Sequence, residues 1–272
     1  MSPSARRLLL RCATLMACAA TATGCIALVG LGGGDEGTVA HVGQCHDTPD
    51  SVLPDPHDPT PAVDCARPHT LETYAVLHPE QPLGPRSVSR LSEQCAQRIG
   101  AYLGGRDYRQ TAVSVYYFTP SEAQQQNGAR WVRCDAGVVT DTAGIRARRV
   151  TGSLHRAFAG GVPLPYRRCL NAPPDPTSVQ GLVPCERPHV AELLPTGQDL
   201  GRAGEPYPGA HRLTSRADAA CARSVRSAVP EAFRSLVIVP TRPMWKAGQT
   251  RAQCWALAAP GRRLNGSEAQ PV

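Results

Sequence analysis

The chain has 272 residues, long enough for two ordinary domains, and a formal net charge of +7 in which Lys246 is the one lysine. Residues 1–33 hold three arginines and no acids, residues 34–150 eleven arginines against fourteen acids, and residues 151–272 fifteen bases against eight acids. A slightly acidic half followed by a basic half argues against nucleic acid as a partner, and the absence of GxxxxGK[ST], GxSxG and HExxH leaves no signature for phosphate, acyl or zinc chemistry.

At the amino terminus, Arg6, Arg7 and Arg11 precede an uncharged stretch from Cys12 to Leu31, whose twenty residues match a helical span of a hydrocarbon core of about 30 Å. With positive charge on the cytoplasmic side, everything after Gly33 is expected outside the cell. The stretch reads as a membrane anchor or an export signal. Alanine, threonine and glycine make it only weakly hydrophobic, LMAC at 15–18 and ATGC at 22–25 partly match lipoprotein cleavage sites at Cys18 and Cys25, and ARRLLLR at 5–11 resembles a loose twin-arginine motif. Uncleaved anchor, lipoprotein and secreted protein all remain open.

Beyond this segment the chain repeats itself. VDCARPHTLE at 63–72 recurs as VPCERPHVAE at 183–192, each copy inside its own frame of four cysteines: Cys45, Cys65, Cys95 and Cys134, then Cys169, Cys185, Cys221 and Cys254. An even number per unit downstream of an export signal reads as disulfides. Four cysteines allow three pairings, which the spacing does not decide, although bridges within units are expected. The organisation predicted is residues 1–33 as anchor or signal, 40–150 as a first domain and 160–262 as a second.

In the first unit, the proline-rich and aspartate-rich segment 47–61 is expected as an exposed loop, and LETYAVL at 71–77 as a strand. A helix follows, with Val88, Leu91, Cys95, Ile99 and Tyr102 near helical spacing and Gly104 and Gly105 as its stop. TAVSVYYFT at 111–119 predicts a second strand, then a polar turn ending at Asn127 and Gly128, then a last strand through Trp131 and Cys134. Residues 136–166 are expected to connect the units. The second unit repeats the order with AELLPT, a helix near 215–228 carrying Cys221, SLVIVP at 235–240 and a last strand through Cys254; Thr214 or Ser215 is placed as the helix cap and Pro230 as its end. The predicted fold class is therefore α+β, two tandem small disulfide-braced domains, each a β-sheet packed against one main helix.

His69 and Glu72, with His189 and Glu192, are the ionisable pair kept in both units at one spacing. A metal or acid–base site is the sharp hypothesis, and Cys65 with His69, or Cys185 with His189, its zinc version. Residues three apart on a strand face opposite ways, so joint action needs a bend at the proline. The reading favoured is a histidine hydrogen-bonded to backbone beside the Cys-Pro turn, with the glutamate paired to an arginine such as Arg67 or Arg187. No catalytic, cofactor-binding or metal-binding residue is expected.

With GQC at 43–45, the VxCxxPHxxE block, a cysteine on the helix and an ending spelled by Pro, Trp, Gly, Arg and Cys, each unit resembles the actinobacterial septum formation domain, as two tandem copies over roughly residues 40–260. The second unit fits best through Tyr207-Pro208-Gly209, Cys221, Pro240, Trp245, Gly248, Arg251 and Cys254. The first has Gln125 where the tryptophan is expected and no YPG. Thr151-Gly152-Ser153-Leu154 is similar to the segment that follows the domain in that family. The motif positions carried over are Pro68, His69, Glu72, Pro188, His189, Glu192, Trp245, Gly248 and Arg251. The resemblance implies a membrane-associated protein of the division septum and brings no catalytic residues. The function expected is a non-enzymatic, membrane-tethered extracytoplasmic protein of the cell envelope that binds another envelope protein or an anionic wall polymer. The alternative is a metal-dependent envelope hydrolase using His69 and Glu72 or His189 and Glu192.

Overall fold

A computed structural model describes residues 41–105, 107–141, 145–175 and 181–265. The candidate membrane segment, with Cys18 and Cys25, lies outside these residues; among the described residues no helix is long and apolar enough to cross a membrane.

The first half runs Cys45–His46 (β1), Ala62–Val63 (β2), Leu71–Leu77 (β3), Pro85–Leu103 (α1), Val113–Phe118 (β4), Glu122–Gln126 (α2), Val132–Val139 (β5) and Ala147–Arg148 (β6). The strands form an antiparallel sheet in the order β2-β1-β3-β5-β4, with β6 paired to the end of β5. On β5 the side chains alternate: Val132, Cys134, Ala136 and Val138 face α1 and join its buried stripe of Leu91, Cys95, Ile99 and Leu103. The opposite face carries Leu71, Tyr116 and Phe118 and is covered by Leu53 from the 47–61 loop.

The second half runs Cys169–Leu170 (β7), Leu182–Val183 (β8), Ala191–Leu193 (β9), Gln198–Asp199 (β10), Ala210–Ala228 (α3), Arg234–Ile238 (β11), Arg242–Lys246 (α4) and Arg251–Leu257 (β12). Its antiparallel sheet has the order β10-β12-β9-β7-β8, with β11 on the free side of β12. Helix α3 buries Leu213, Ala217, Cys221, Val225 and Ala228, one side chain per turn, against that sheet. The bridges are Cys45–Cys65, Cys95–Cys134, Cys169–Cys185 and Cys221–Cys254, so every expected cysteine is paired and every pair lies within its half.

Several expectations need correcting. Residues 136–166 are not a simple connector: β5 continues to Val139, and Leu154, Phe158, Val162 and Tyr166 are buried in the first core. Arg156 N–H and Phe158 N–H donate to the carbonyls of Tyr102 (2.7 Å) and Leu103 (2.8 Å), so this segment satisfies acceptors that the end of α1 would otherwise leave open. Gly104, at φ +104° with a Cβ position only 2.8 Å from Ala159 N, is required for that docking. The polar turn after β4 contains α2, held by reciprocal bonds from Gln124 N–H to Ser121 Oγ and from Ser121 N–H to Gln124 Oε1. Helix α3 starts at Ala210 rather than near 215, because Gly209 at φ +96° turns the chain after Tyr207-Pro208; Ser215 does not cap it but donates to His211 O inside it.

The 47–61 loop is also less exposed than its composition suggests. Asp58 reaches under the sheet to Arg133, which also meets Asp135 Oδ2 at 2.9 Å and lies over the Phe118 ring. All three charged side chains are nearly inaccessible. Thr48 Oγ1 and Thr60 N–H also donate to Asp58, and Thr73 Oγ1 donates to Asp135, each at 2.9 Å.

Candidate functional site

The repeated motif forms the same corner twice. After the Cys-Pro turn, His69 makes an antiparallel bridge with Val150, and His189 makes one with Leu264. The chain then bends at Thr70 and Val190 before entering β3 and β9. That bend cancels the strand alternation and brings histidine and glutamate to the same side. Glu72 sits between Cys45 and Ala136 in the sheet register, and Glu192 between Cys169 and Ala256. Cys45, His69 and Glu72 each place a potential ligand atom within 4.8 Å of the others, as do Cys169, His189 and Glu192, and all six residues are buried.

Their bonding decides what these corners can do. His69 and His189 Nδ1 each lie 2.8 Å from the carbonyl of Arg67 or Arg187, two residues back, as expected for a ring fixed beside its own turn. The glutamates do not pair with those arginines, which are exposed. Glu72 Oε1 accepts from Tyr102 Oη and Ser153 Oγ, both at 2.6 Å, while Oε2 accepts from Leu154 N–H. Glu192 instead has Arg167 Nη1 at 3.6 Å and His189 Nε2 at 3.5 Å. Burial, and then the bond to Glu72, push the Tyr102 phenol well above its ordinary value, which keeps it a donor.

A metal needs thiolate, neutral imidazole or free carboxylate oxygen. Here Cys45 and Cys169 sulfurs are covalently bonded to Cys65 and Cys185, and three donors already occupy Glu72. That leaves His69 Nε2, which has no hydrogen-bond partner, as the one uncommitted nitrogen at the first corner. The oxidised corner therefore does not fit a zinc site. It fits a structural joint that ties β1, β3 and the 150–154 segment together. Pro68 and Pro188 sit exposed at the rim of this joint.

Trp245, Gly248 and Arg251 are not brought to the corner; Arg251 lies five residues along β12 from Ala256, roughly 17 Å of strand. Trp245 is buried on α4, donates from Nε1 to Glu205 O at 2.6 Å and meets Tyr207 edge-on at 6.1 Å. Gly248 ends α4 at φ +79°, as Gly128 ends α2 at φ +91°. Arg251 forms a forked pair with Asp199, at 2.6 and 3.0 Å, and the hydrogen bonding holds that carboxyl below its usual range. These are packing and turn positions of the second half.

Sequence reasoning missed the buried Asp58–Arg133–Asp135 cluster. Its signal was Arg133 and Asp135, two residues apart on one face of a strand whose other face is wholly apolar. His46 stands beside it with Nδ1 bound to Thr60 O, and burial, then the Arg133 charge, lowers its pKa. Asp58 is also lowered: burial opposes this, but the bonds from Thr60 and the charge and bond of Arg133 prevail. In the second half the positions of Arg133 and Asp135 are taken by Gln253 and Trp255, whose Nε1 donates to Gln253 Oε1 at 3.2 Å within an apolar cluster.

Neither a curated protein nor a solved structure matches the chain. The sequence model described as Septum formation matches residues 42–254, across both sheets, all four α-helices and all four bridges. The chain belongs to the septum formation family.

Proposed function

We propose that this chain is a non-enzymatic, membrane-tethered extracytoplasmic protein of the cell envelope that acts in septum formation by binding, with the amino-terminal segment as its tether. The observation carrying this reading is that the chemistry-bearing side chains of the repeated motif are engaged by the fold: cysteine in a bridge, histidine on its own turn and Glu72 by three donors. Four disulfides support an oxidising compartment. Family membership supports a role in cell division. The binding partner is another envelope protein or an anionic wall polymer, and the basic second half suits the latter.

The test is a fluorescent fusion followed through growth and division, together with deletion of the coding sequence. Enrichment at septa and altered septation are expected. An even distribution at all stages with unchanged septa would remove the septal role. The His189→Ala protein, provided it folds, is expected to support normal septation; its failure to do so at wild-type abundance would point back to chemistry at the corner.

A further inference from the structure

The junction between the halves is made by a face that the chain possesses twice and fills once. In the first half this face comprises residues 138–140 at the end of β5 and Arg148 on β6. The start of the second half packs into it. Ala112 N–H donates to Tyr166 O at 2.8 Å, Arg148 donates to Pro165 O and reaches Glu186 at 3.5 Å, and Leu182, Val183 and Pro184 cover the rest. Only about 30 Å³ stays open.

The second half has the corresponding positions. Register equates Gly137, the partner of Leu71, with Leu257, the partner of Ala191, so residues 258–260 stand where 138–140 do. Val150 and Leu264 bridge the two motif histidines, so Arg262 stands where Arg148 does. There, with Phe233 and Arg234 beside them, these residues line a pocket of about 460 Å³. Phe233 is 64% exposed, the largest value among the big apolar side chains described.

The surface that would fill this pocket also exists twice. Pro165 and Arg167 lie four and two residues before Cys169; His41 and Gly43 lie four and two before Cys45. Val183 pairs with Cys169 as Val63 pairs with Cys45, so Ala62, Val63 and Asp64 match the residues that cover the junction. This leading face of the first half is open: Val42 is 56% exposed, and His41, Ala62 and Asp64 are exposed as well. One open face therefore carries Arg234, Arg262 and Arg263 around Phe233, and the other carries Val42 and Asp64 on the acidic half.

We infer that two copies of this chain associate head to tail, the Val42, Ala62–Asp64 face of one docking against the Phe233, Arg262 face of the next at the position of the internal junction, but through side chains, because Ala232 N–H, which stands where Ala112 does, already donates to Val229 O and Ala66 stands where Glu186 does. The two faces differ, so the contact is heterologous and each copy can engage two neighbours, giving open or ring-shaped oligomers rather than a closed two-fold dimer. The inference does not depend on where in the cell the protein acts.

The test is sedimentation velocity of the full chain, purified in non-ionic detergent, over a concentration series. Species beyond the dimer are expected as concentration rises. Phe233→Asp and Val42→Asp each change an exposed side chain, and each is expected to weaken association about tenfold or more. A mixture of the two variants keeps one intact pair of faces and is expected to give dimers and nothing larger. The reversal Arg262→Glu with Asp64→Arg is expected to associate where either single change does not. A wild-type chain monomeric throughout overturns the inference, including the case in which residues 266–272 of the same chain fill the pocket. So does a Val42→Asp protein that associates normally while Phe233→Asp does not, because that result describes a self-paired Phe233 face.

Discussion

Replacing Arg133 by methionine keeps the aliphatic bulk over the Phe118 ring and removes the cation between Asp58 and Asp135, both of whose side chains are inaccessible. Removing one partner of a buried ion pair costs about 3–5 kcal/mol, because the remaining charge stays buried. Here two carboxylates lose one guanidinium, but Asp58 keeps Thr48 and Thr60, and Asp135 keeps Thr73. A loss of about 4 kcal/mol at neutral pH is therefore expected, large against typical domain stabilities of about 5–15 kcal/mol. The pH dependence gives the sharper check. In the native protein Asp58 sits below its ordinary value, so it adds stability that is lost as pH falls. Without Arg133, Asp58 and Asp135 lose a charge that lowers them, and burial, which already holds Asp135 above its ordinary value, is opposed by less, so the carboxyls of the folded variant bind protons that the unfolded chain does not; His46 stays lowered by burial. A raised group contributes stability at low pH and loses it as pH climbs through the folded value. The gap between variant and native protein should thus narrow from about pH 7 to about pH 5. Urea unfolding followed by tryptophan fluorescence and circular dichroism measures both. A loss below about 1 kcal/mol, or one equal at both pH values, would refute the reasoning.

The bridges should differ in worth. Chain-entropy arguments give about 4 kcal/mol for the Cys95–Cys134 loop and about 3 kcal/mol for Cys169–Cys185, so paired alanine substitutions, compared by urea unfolding, should rank in that order. Glu72→Ala strips the acceptor from Tyr102, Ser153 and Leu154 N–H and should cost about 2–4 kcal/mol; hydrogen exchange at Leu154 should accelerate with it, and an unchanged amide would argue against the carboxylate as its anchor. Trp245→Ala should cost about 3–5 kcal/mol by opening a cavity under α4. Gly201→Ala should also destabilise, because the new Cβ would come within 2.7 Å of the Trp245 ring; a thermal midpoint equal to that of the native protein would show that the indole can move aside.

The parts legible in the sequence were those with a local cause. LETYAVL is a strand because its apolar residues are contiguous, and the helical spacing of Val88, Leu91, Cys95, Ile99 and Tyr102 shows α1, although Leu103 rather than Tyr102 completes its fully buried stripe. The Gly209 start of α3 was harder to see, because it needs a positive φ that only the turn after Tyr207-Pro208 reveals. The role of 150–166 was invisible for another reason. Its polar residues look like a linker, yet Ser153 and the backbones of Val150, Leu154 and Phe158 are the partners of His69, Glu72 and α1. Asp58 likewise looks solvent-facing until Arg133, seventy-five residues away, is folded over it. Long-range pairing of polar groups leaves no period in a sequence.

The two halves show where selection for structure ends and where function has room. Both keep the cysteine–histidine–glutamate joint, in matching register, with the histidine on the carbonyl two residues back. They differ on the far face of the sheet, where Arg133 and Asp135 give way to Gln253 and Trp255, and in what they expose, Val42 and Asp64 on the first half and Phe233, Arg262 and Arg263 around a pocket on the second. A reactive centre duplicated intact would predict open, matching pockets at the two joints. An open pocket of about 460 Å³ lies instead beside Phe233, at a position the first half uses to pack against the second. On the binding function proposed above, the asymmetry between halves belongs to recognition surfaces, and the shared motif to the scaffold that holds them.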